Sequence, residues 1–181
     1  MRSKVRLIES RNLYSGVVSL RMDRFSLNGR VVEKEIVEHQ PSVGIVPLIG
    51  PDSVLLVSQY RRAAGKTLLE IPAGKIEVGE TPLRAARREM AEEIGFKGRL
   101  EPLMSWYLAP GYDTEYMHVF VATQLRKISR RAELDDDEDI SVKKLGIDAA
   151  IQKCFAGEIR DCKTAAALMA YKHSKASKKS R

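Results

Sequence analysis

Cysteine is scarce in this chain: there are two, Cys154 and Cys162. Their spacing matches neither a Cys-x-x-Cys redox pair nor a zinc knuckle, so ordinary reduced thiols are expected. Histidine is scarce as well. His39, His118 and His173 are scattered, and none pairs with another ligand at short spacing, which leaves little support for a histidine-based zinc site. No apolar run approaches the roughly 18 residues needed to cross a bilayer. The basic start at Met1-Arg2-Ser3-Lys4-Val5-Arg6 is not followed by the apolar stretch of a signal peptide. These absences lead to the expectation of a soluble, cytoplasmic protein with no membrane partner.

What is present is a chain of 181 residues with 44% hydrophobic content, enough for one full-sized domain with a buried core and a small accessory element. The formal net charge is +7. Part of the excess lies in a polar, lysine-rich end from Lys172 to Arg181, expected to be a solvated, disordered tail. Basic charge alone brings no base-reading or stacking element, so nucleic acid is not an expected partner. The positive charge can instead help attract a polyanionic small molecule. Three parts follow: an N-terminal strand unit over 1–40, a main domain over 41–172, and the tail over 173–181.

Residues 5–38 alternate apolar and polar positions in short runs, and Asn28-Gly29 between two such runs predicts a hairpin. This antiparallel unit has few large apolar residues and needs something to pack on; a second copy of the chain is one solution. Val43 to Ile49 and Val54 to Arg61 are the strongest predicted strands, and the Gly50-Pro51-Asp52-Ser53 link predicts that they pair as a hairpin. A short run, Leu68 to Ile71, ends at Pro72. The period then changes: Thr81 suits a helix cap, Pro82 its first position and Gly95 its end. Strands are predicted at Leu100 to Tyr107 and Tyr116 to Leu125, flanking a Pro110-Gly111 turn. An acidic loop from Asp135 to Asp139 leads to a last strand, and two helices follow, Asp148 to Phe155 and Asp161 to Lys172. The pattern predicts an α/β or α+β sandwich, with sheet between helices.

At about 100° per residue, Leu83, Ala86, Met90 and Ile94 share one stripe of the central helix, its core face. Glu89 and Glu93 lie side by side at the edge of that stripe, with Glu92 on the polar side. Like charges one turn apart repel. A divalent cation reverses that sign, because Mg²⁺ takes hard oxygen ligands and bridges carboxylates to substrate phosphates. Arg88, one turn before Glu92, can pair with it. Taken alone, the glutamates are better explained by an ordinary charged helix face; the preceding segment changes that. Ile71-Pro72-Ala73-Gly74-Lys75 and Val78-Gly79-Glu80 form a glycine-bearing loop that runs into the helix, where backbone can approach a metal or phosphate closely.

Gly74, Glu80, Arg88-Glu89-Met90, Glu92-Glu93, Gly95 and Phe96 together resemble the complete Nudix box, with every specified position matched. The resemblance implies the Nudix fold, a mixed β-sheet sandwiched between helices, and Mg²⁺-dependent hydrolysis of a nucleoside diphosphate linked to another group. Mn²⁺ is a possible substitute. It also implies that Glu89 and Glu93 ligate metal, with Glu92 as a further ligand or helper. Outside the box, Gln59-Tyr60-Arg61, Glu70 to Lys75, Ala109-Pro110-Gly111 with Glu115, and Glu138-Asp139-Ile140 resemble the ADP-ribose pyrophosphatase subfamily, with Pro110 fifteen residues after Gly95.

Carried over position by position, the resemblance implies that the Ala73 backbone carbonyl joins Glu89 and Glu93 around the metal. Arg61, with Gln59 beside it, would meet the diphosphate or terminal ribose, and Pro110 and Gly111 would shape the substrate's surroundings. Glu115 would hold the loop or contact the substrate. Glu138 would bind a metal or orient the attacking water. Relatives often carry a second glutamate two residues earlier, where this chain has the shorter Asp136. Lys34 falls where relatives place a basic residue that reaches the partner subunit's site, which implies a homodimer, and Tyr14 could stack on a base. ADP-ribose would give AMP and ribose 5-phosphate. A nucleotide sugar, NADH or a dinucleotide polyphosphate stays open as substrate. A non-enzymatic Nudix-like binding module also stays open, although such a module would be expected to lose the box carboxylates that this chain retains.

Overall fold

Asn28 and Gly29 take positive φ, 52° and 87°, the backbone of a tight hairpin turn. The turn joins β2 (Ser19–Leu27) to β3 (Arg30–Glu38), paired antiparallel from Leu27↔Arg30 to Ser19↔Glu38. β1 (Val5–Ser15) lies on the other side of β2, with irregularities between Leu7 and Glu9 and between Asn12 and Tyr14. The computed structural model describes residues 4–129 and 140–179. By packing, the chain divides into two compact units.

The first unit comprises residues 1–41 together with 106–117. The N-terminal strand unit thus extends past the expected 1–40 to include a distant turn. The turn is tied in by backbone: Val37 N–H donates to the Tyr112 carbonyl (2.7 Å) and Thr114 N–H to the Val37 carbonyl (3.0 Å). Every residue of β1 is exposed.

The second unit comprises residues 42–105 and 118–181. It holds two sheets. In one, β4 (Ser42–Pro47) lies between β7 (Ala73–Lys75) and β9 (Tyr116–Lys127), with β8 (Phe96–Tyr107) beyond β9. In the other, β5 (Ser53–Arg61) is flanked by β10 (Ile140–Gly146) and β6 (Lys66–Glu70). The expected β4–β5 hairpin does not form. Only the bridge Leu48↔Val54 and the Ile49 N–H to Ser53 carbonyl bond (2.9 Å) join the two strands. The reason is that each is already paired on both edges, so the Gly50 turn passes the chain from one sheet to the other.

Helix α1 (Pro82–Ile94) follows its terminal signals. Thr81 is the N-cap, accepting from Arg84 N–H; Pro82 opens the helix, and Gly95 closes it at φ 71°. Ala85, Ala86, Met90 and Ile94 pack with Val43, Ile45, Leu55, Val57, Phe120, Ala122 and Ile140 into one apolar cluster, while Leu83 lies at its margin. Helices α2 (Ile147–Phe155) and α3 (Cys162–Lys179) follow, with Leu168 and Ala167 of α3 fully buried. The layered α+β class is as expected. One boundary differs: α3 runs on through the residues expected to begin a disordered tail, and Lys175 within it pairs with Asp52 at 3.1 Å. Among the described residues, no helix is long and apolar enough to cross a membrane.

Candidate active site

Pro72 has no N–H to give to a sheet ladder, so the chain leaves β6 there and re-enters pairing as the short β7. The bend carries Ala73 and Gly74 beneath α1. Ala73 N–H donates to Glu93 Oε2 at 3.0 Å, and the Pro72 carbonyl accepts from Ile45 N–H at 2.9 Å. Gly74 pairs with Val43. A Cβ built on Gly74 would stand 1.9 Å from Glu89 Oε1 and 2.1 Å from its carboxyl carbon. A side chain at this position would have to shift the end of the Glu89 side chain, which Arg88 also holds, and glycine avoids that displacement.

Glu89 and Glu93 are more deeply placed than a helix-edge position suggests, with only 9% and 2% exposure. Burying two carboxylates costs free energy that neighbours must offset. Part of the compensation is Arg88, whose guanidinium bonds Glu89 Oε1 (2.7 Å), Glu92 Oε2 (3.0 Å), Glu80 Oε2 (3.1 Å) and the Lys75 carbonyl (2.9 Å). The expected Arg88–Glu92 pair is thus one arm of a larger hub. Burial works against the Arg88 charge, but the surrounding carboxylates outweigh it and raise its pKa. The Arg88 hydrogen bond in turn holds Glu80 below the usual carboxylate range.

A second charged network lies at the other end of the same loop. Glu70 is fully buried and receives a two-pronged bond from Arg61, Nε to Oε1 at 2.8 Å and Nη2 to Oε2 at 2.9 Å, and another from Lys163. Burial alone would raise the Glu70 pKa; the Arg61 hydrogen bond and the Lys163 charge outweigh it and leave it lowered. The residue expected to meet the diphosphate is therefore itself held by a buried carboxylate. Its charge also feels Glu93 and Asp161, which places Arg61 in the field of the α1 carboxylates. Gln59, two residues earlier and so on the same strand face, is buried, and among the described residues its Oε1 has no hydrogen-bond donor.

Glu89, Glu92, Glu93, Arg88, Ala73, Arg61 and Gln59 all fall within the second unit. Lys34, Pro110, Gly111 and Glu115 belong to the first. Lys34 is exposed on β3 opposite Asp23, and Pro110 and Gly111 are exposed in their turn. Glu115 Oε2 lies 3.7 Å from His39 Nδ1, and the Glu115 N–H donates to Asp113 Oδ1. Tyr14 is 62% exposed. Glu138 and Asp136 lie outside the described residues. Sequence reasoning missed the Glu80 arm of the Arg88 hub and the Glu70–Lys163 pair. The Cα register Val57↔Glu70 puts Glu70 on the face of a core valine, but Lys163 is 93 residues away with no local pattern to mark it.

The arrangement is chemically one kind of site: oxygen donors from adjacent helical turns and a loop backbone, under an arginine that fixes them. Among the described residues, no three acidic, histidine or cysteine side chains converge as a closed ligand set. Such an open, all-oxygen group suits a hard divalent cation that keeps waters and takes further oxygens from a phosphate substrate. The close approach of Gly74 and Glu89 fits this, because the missing side chain at 74 makes room for the Glu89 carboxylate. Glu89 and Glu93, with the Ala73 carbonyl, are the groups that could hold it.

Comparison with known proteins agrees with that class. A Nudix domain family model matches residues 38–161, and the chain belongs to the Nudix family. A methanol dehydrogenase activator of Bacillus methanolicus is 37% identical over 164 residues, covering 89% of each chain. An ADP-ribose pyrophosphatase of Bacillus subtilis is 34% identical over 164 residues, again 89% of each. A GDP-mannose pyrophosphatase of Citrobacter koseri is 32% identical over 190 residues, 96% of this chain and 97% of that one. Among solved structures, an ADP compounds hydrolase matches with a TM-score of 0.85 at 22% identity, covering 97% of this chain and 96% of the other, a likeness of fold.

Proposed function

We propose that this protein hydrolyses the diphosphate of ADP-ribose to AMP and ribose 5-phosphate with the help of a divalent cation, Mg²⁺ or in its place Mn²⁺. The observation that carries the reading is the Gly74 cradle, in which the carboxylate of Glu89 takes the volume of a missing side chain beside Glu93 and Ala73. Relatives named ADP-ribose pyrophosphatase, at 34% identity over 84% or more of this chain, support the choice of substrate.

The cation, when bound, neutralises phosphate charge and lowers the pKa of a coordinated water. Everything else falls to the protein. Arg88 keeps Glu89 and Glu92 in fixed rotamers, so little reorganisation is needed when substrate arrives. Arg61, with one guanidinium edge engaged by Glu70, presents a fixed positive charge to the diphosphate. Gln59 Oε1 is a buried acceptor for a substrate hydroxyl or a water. Glu138, or Asp136 beside it, positions the attacking water. One water adds across the P–O–P linkage: its oxygen joins one phosphorus, the bridging bond breaks, and its protons are shared between the two phosphate products.

The same reading makes the protein a cytoplasmic homodimer. Support for the dimer comes from the exposed apolar residues of the N-terminal sheet, including Val5, Leu7, Leu13 and Tyr14. Lys34 would then serve the partner subunit's site, and Pro110, Gly111 and Glu115 would border the substrate.

Turnover of ADP-ribose measured beside GDP-mannose, NADH and a diadenosine polyphosphate, with Mg²⁺ and with chelator, tests this. The highest kcat/KM is expected for ADP-ribose, with turnover abolished by chelator. A preference for GDP-mannose, the substrate named for one relative at 32% identity, would move the reading to nucleotide sugars. Metal-independent turnover would overturn it.

A further inference from the structure

Ile71 is fully buried, so its backbone N–H cannot be left to solvent. It donates to Thr164 Oγ1 at 2.7 Å, across 93 residues of sequence. Thr164 is itself fully buried, and its hydroxyl donates onward to Asp161 Oδ2. Asp161 is the residue just before α3. Its Oδ2 also accepts from Thr164 N–H at 2.9 Å, the arrangement of an N-cap, and its Oδ1 accepts from Lys163 Nζ at 2.8 Å. The hydroxyl thus has both its donor and acceptor roles filled, with no freedom left to rotate. Two residues beyond Ile71, Ala73 gives its N–H to Glu93. The bend between them contains Pro72, whose ring fixes φ and transmits position rather than absorbing it.

From this chain of contacts we infer that the Asp161–Thr164 pair at the start of α3 is a positioning device for the cation site. It fixes the height of the Ile71–Ala73 backbone and hence where the Ala73 carbonyl and Glu93 carboxylate stand. Thr164 contacts Ile71 and Asp161 and acts through Ile71 and Ala73. The helix start is thereby part of the active site's scaffold, although it is far from the Nudix box in sequence. The inference rests on the metal-dependent reading above and specifies its support.

The test is direct binding of Mn²⁺ to the full-length protein without substrate, followed by electron paramagnetic resonance of the free ion. Thr164→Val keeps the shape of the side chain and removes the hydroxyl. It is expected to weaken Mn²⁺ binding about tenfold or more, the usual cost of losing a residue that orients a ligand. Amide exchange at Ile71 and Ala73 should quicken, and Thr164→Ser should restore binding. Unchanged Mn²⁺ affinity in Thr164→Val, even with a lowered Tm, would mean a purely structural role and overturn the inference. Should Thr164→Val not fold, Asp161→Asn carries the same pair of outcomes. Absence of Mn²⁺ binding to the unaltered protein would remove the metal-dependent reading itself. Binding by the unaltered protein that survives both substitutions would remove only the positioning role.

Discussion

The region around α1 and the N-terminal sheet solve the same problem, charged and apolar groups that need partners, in opposite ways. Around α1 charged groups meet one another: Arg88 gathers Glu80, Glu89 and Glu92, Glu70 gathers Arg61 and Lys163, and Glu93 accepts from a backbone N–H. In β1–β3 the strands are joined by a backbone ladder with irregularities in β1, and β1 leaves Val5, Leu7, Ile8, Leu13 and Tyr14 exposed. The first region is closed by its own chemistry and tolerates little change. The second is held by its ladder, and its apolar residues are left at the surface. Stability and function are therefore expected to separate differently on the two sides.

The largest expected effect is on the α1 side. Glu93→Gln should reduce kcat by about a thousandfold or more, because it removes a charge from the cation site. The Tm should hold or rise, since a buried carboxylate has been neutralised. Near-normal turnover would break the assignment. Next is Gly74→Ala, whose methyl would need the space of Glu89 Oε1; a displacement near 1 Å in a catalytic group costs roughly a hundredfold. Steady-state kinetics at saturating Mg²⁺ would measure it, and an unaffected rate would show that the carboxylate can move freely.

Glu70→Gln should act on stability instead, by about 3 kcal/mol in denaturant unfolding, because Lys163 and the partly exposed Arg61 lose a buried partner. The same network predicts a pH dependence. Glu70 and Glu80 both titrate below their ordinary range in the folded state. Their contribution is present above the ordinary carboxylate pKa and is lost as pH falls through the depressed values. Acid unfolding curves of the Glu70→Gln variant should lose part of that slope. The smallest effect belongs to the N-terminal sheet. Leu7→Glu should leave the monomer's unfolding nearly unchanged and weaken self-association by about 1–2 kcal/mol, read by sedimentation. An unaltered association state would erase the contrast between the two regions.

Local signals were the legible ones. Thr81, Pro82 and Gly95 marked both ends of α1 because caps act through residues a few positions apart. Asn28-Gly29 marked its turn for the same reason. Box spacing located Glu89 and Glu93 on adjacent turns, but not their depth, because burial depends on β4 and β7 packing against α1. The misplaced β4–β5 hairpin has a similar cause: a turn signal says that the chain reverses, not which strands have already taken its neighbours' edges. Thr164 and Lys163 gave no signal at all, since their partners Ile71 and Glu70 are 93 residues away. Arg61 was legible as a charge at a strand end, but its anchoring by Glu70 was visible only in three dimensions.

The cradle at Gly74 also ties the history of two positions together. Where one carboxylate occupies the volume that another residue's side chain would fill, neither site can drift alone. A chain that acquired alanine at 74 would need a shorter acid at 89, and Gly74→Ala combined with Glu89→Asp should recover more activity than the product of the single losses allows. The glycine and the glutamate together make one unit of shape.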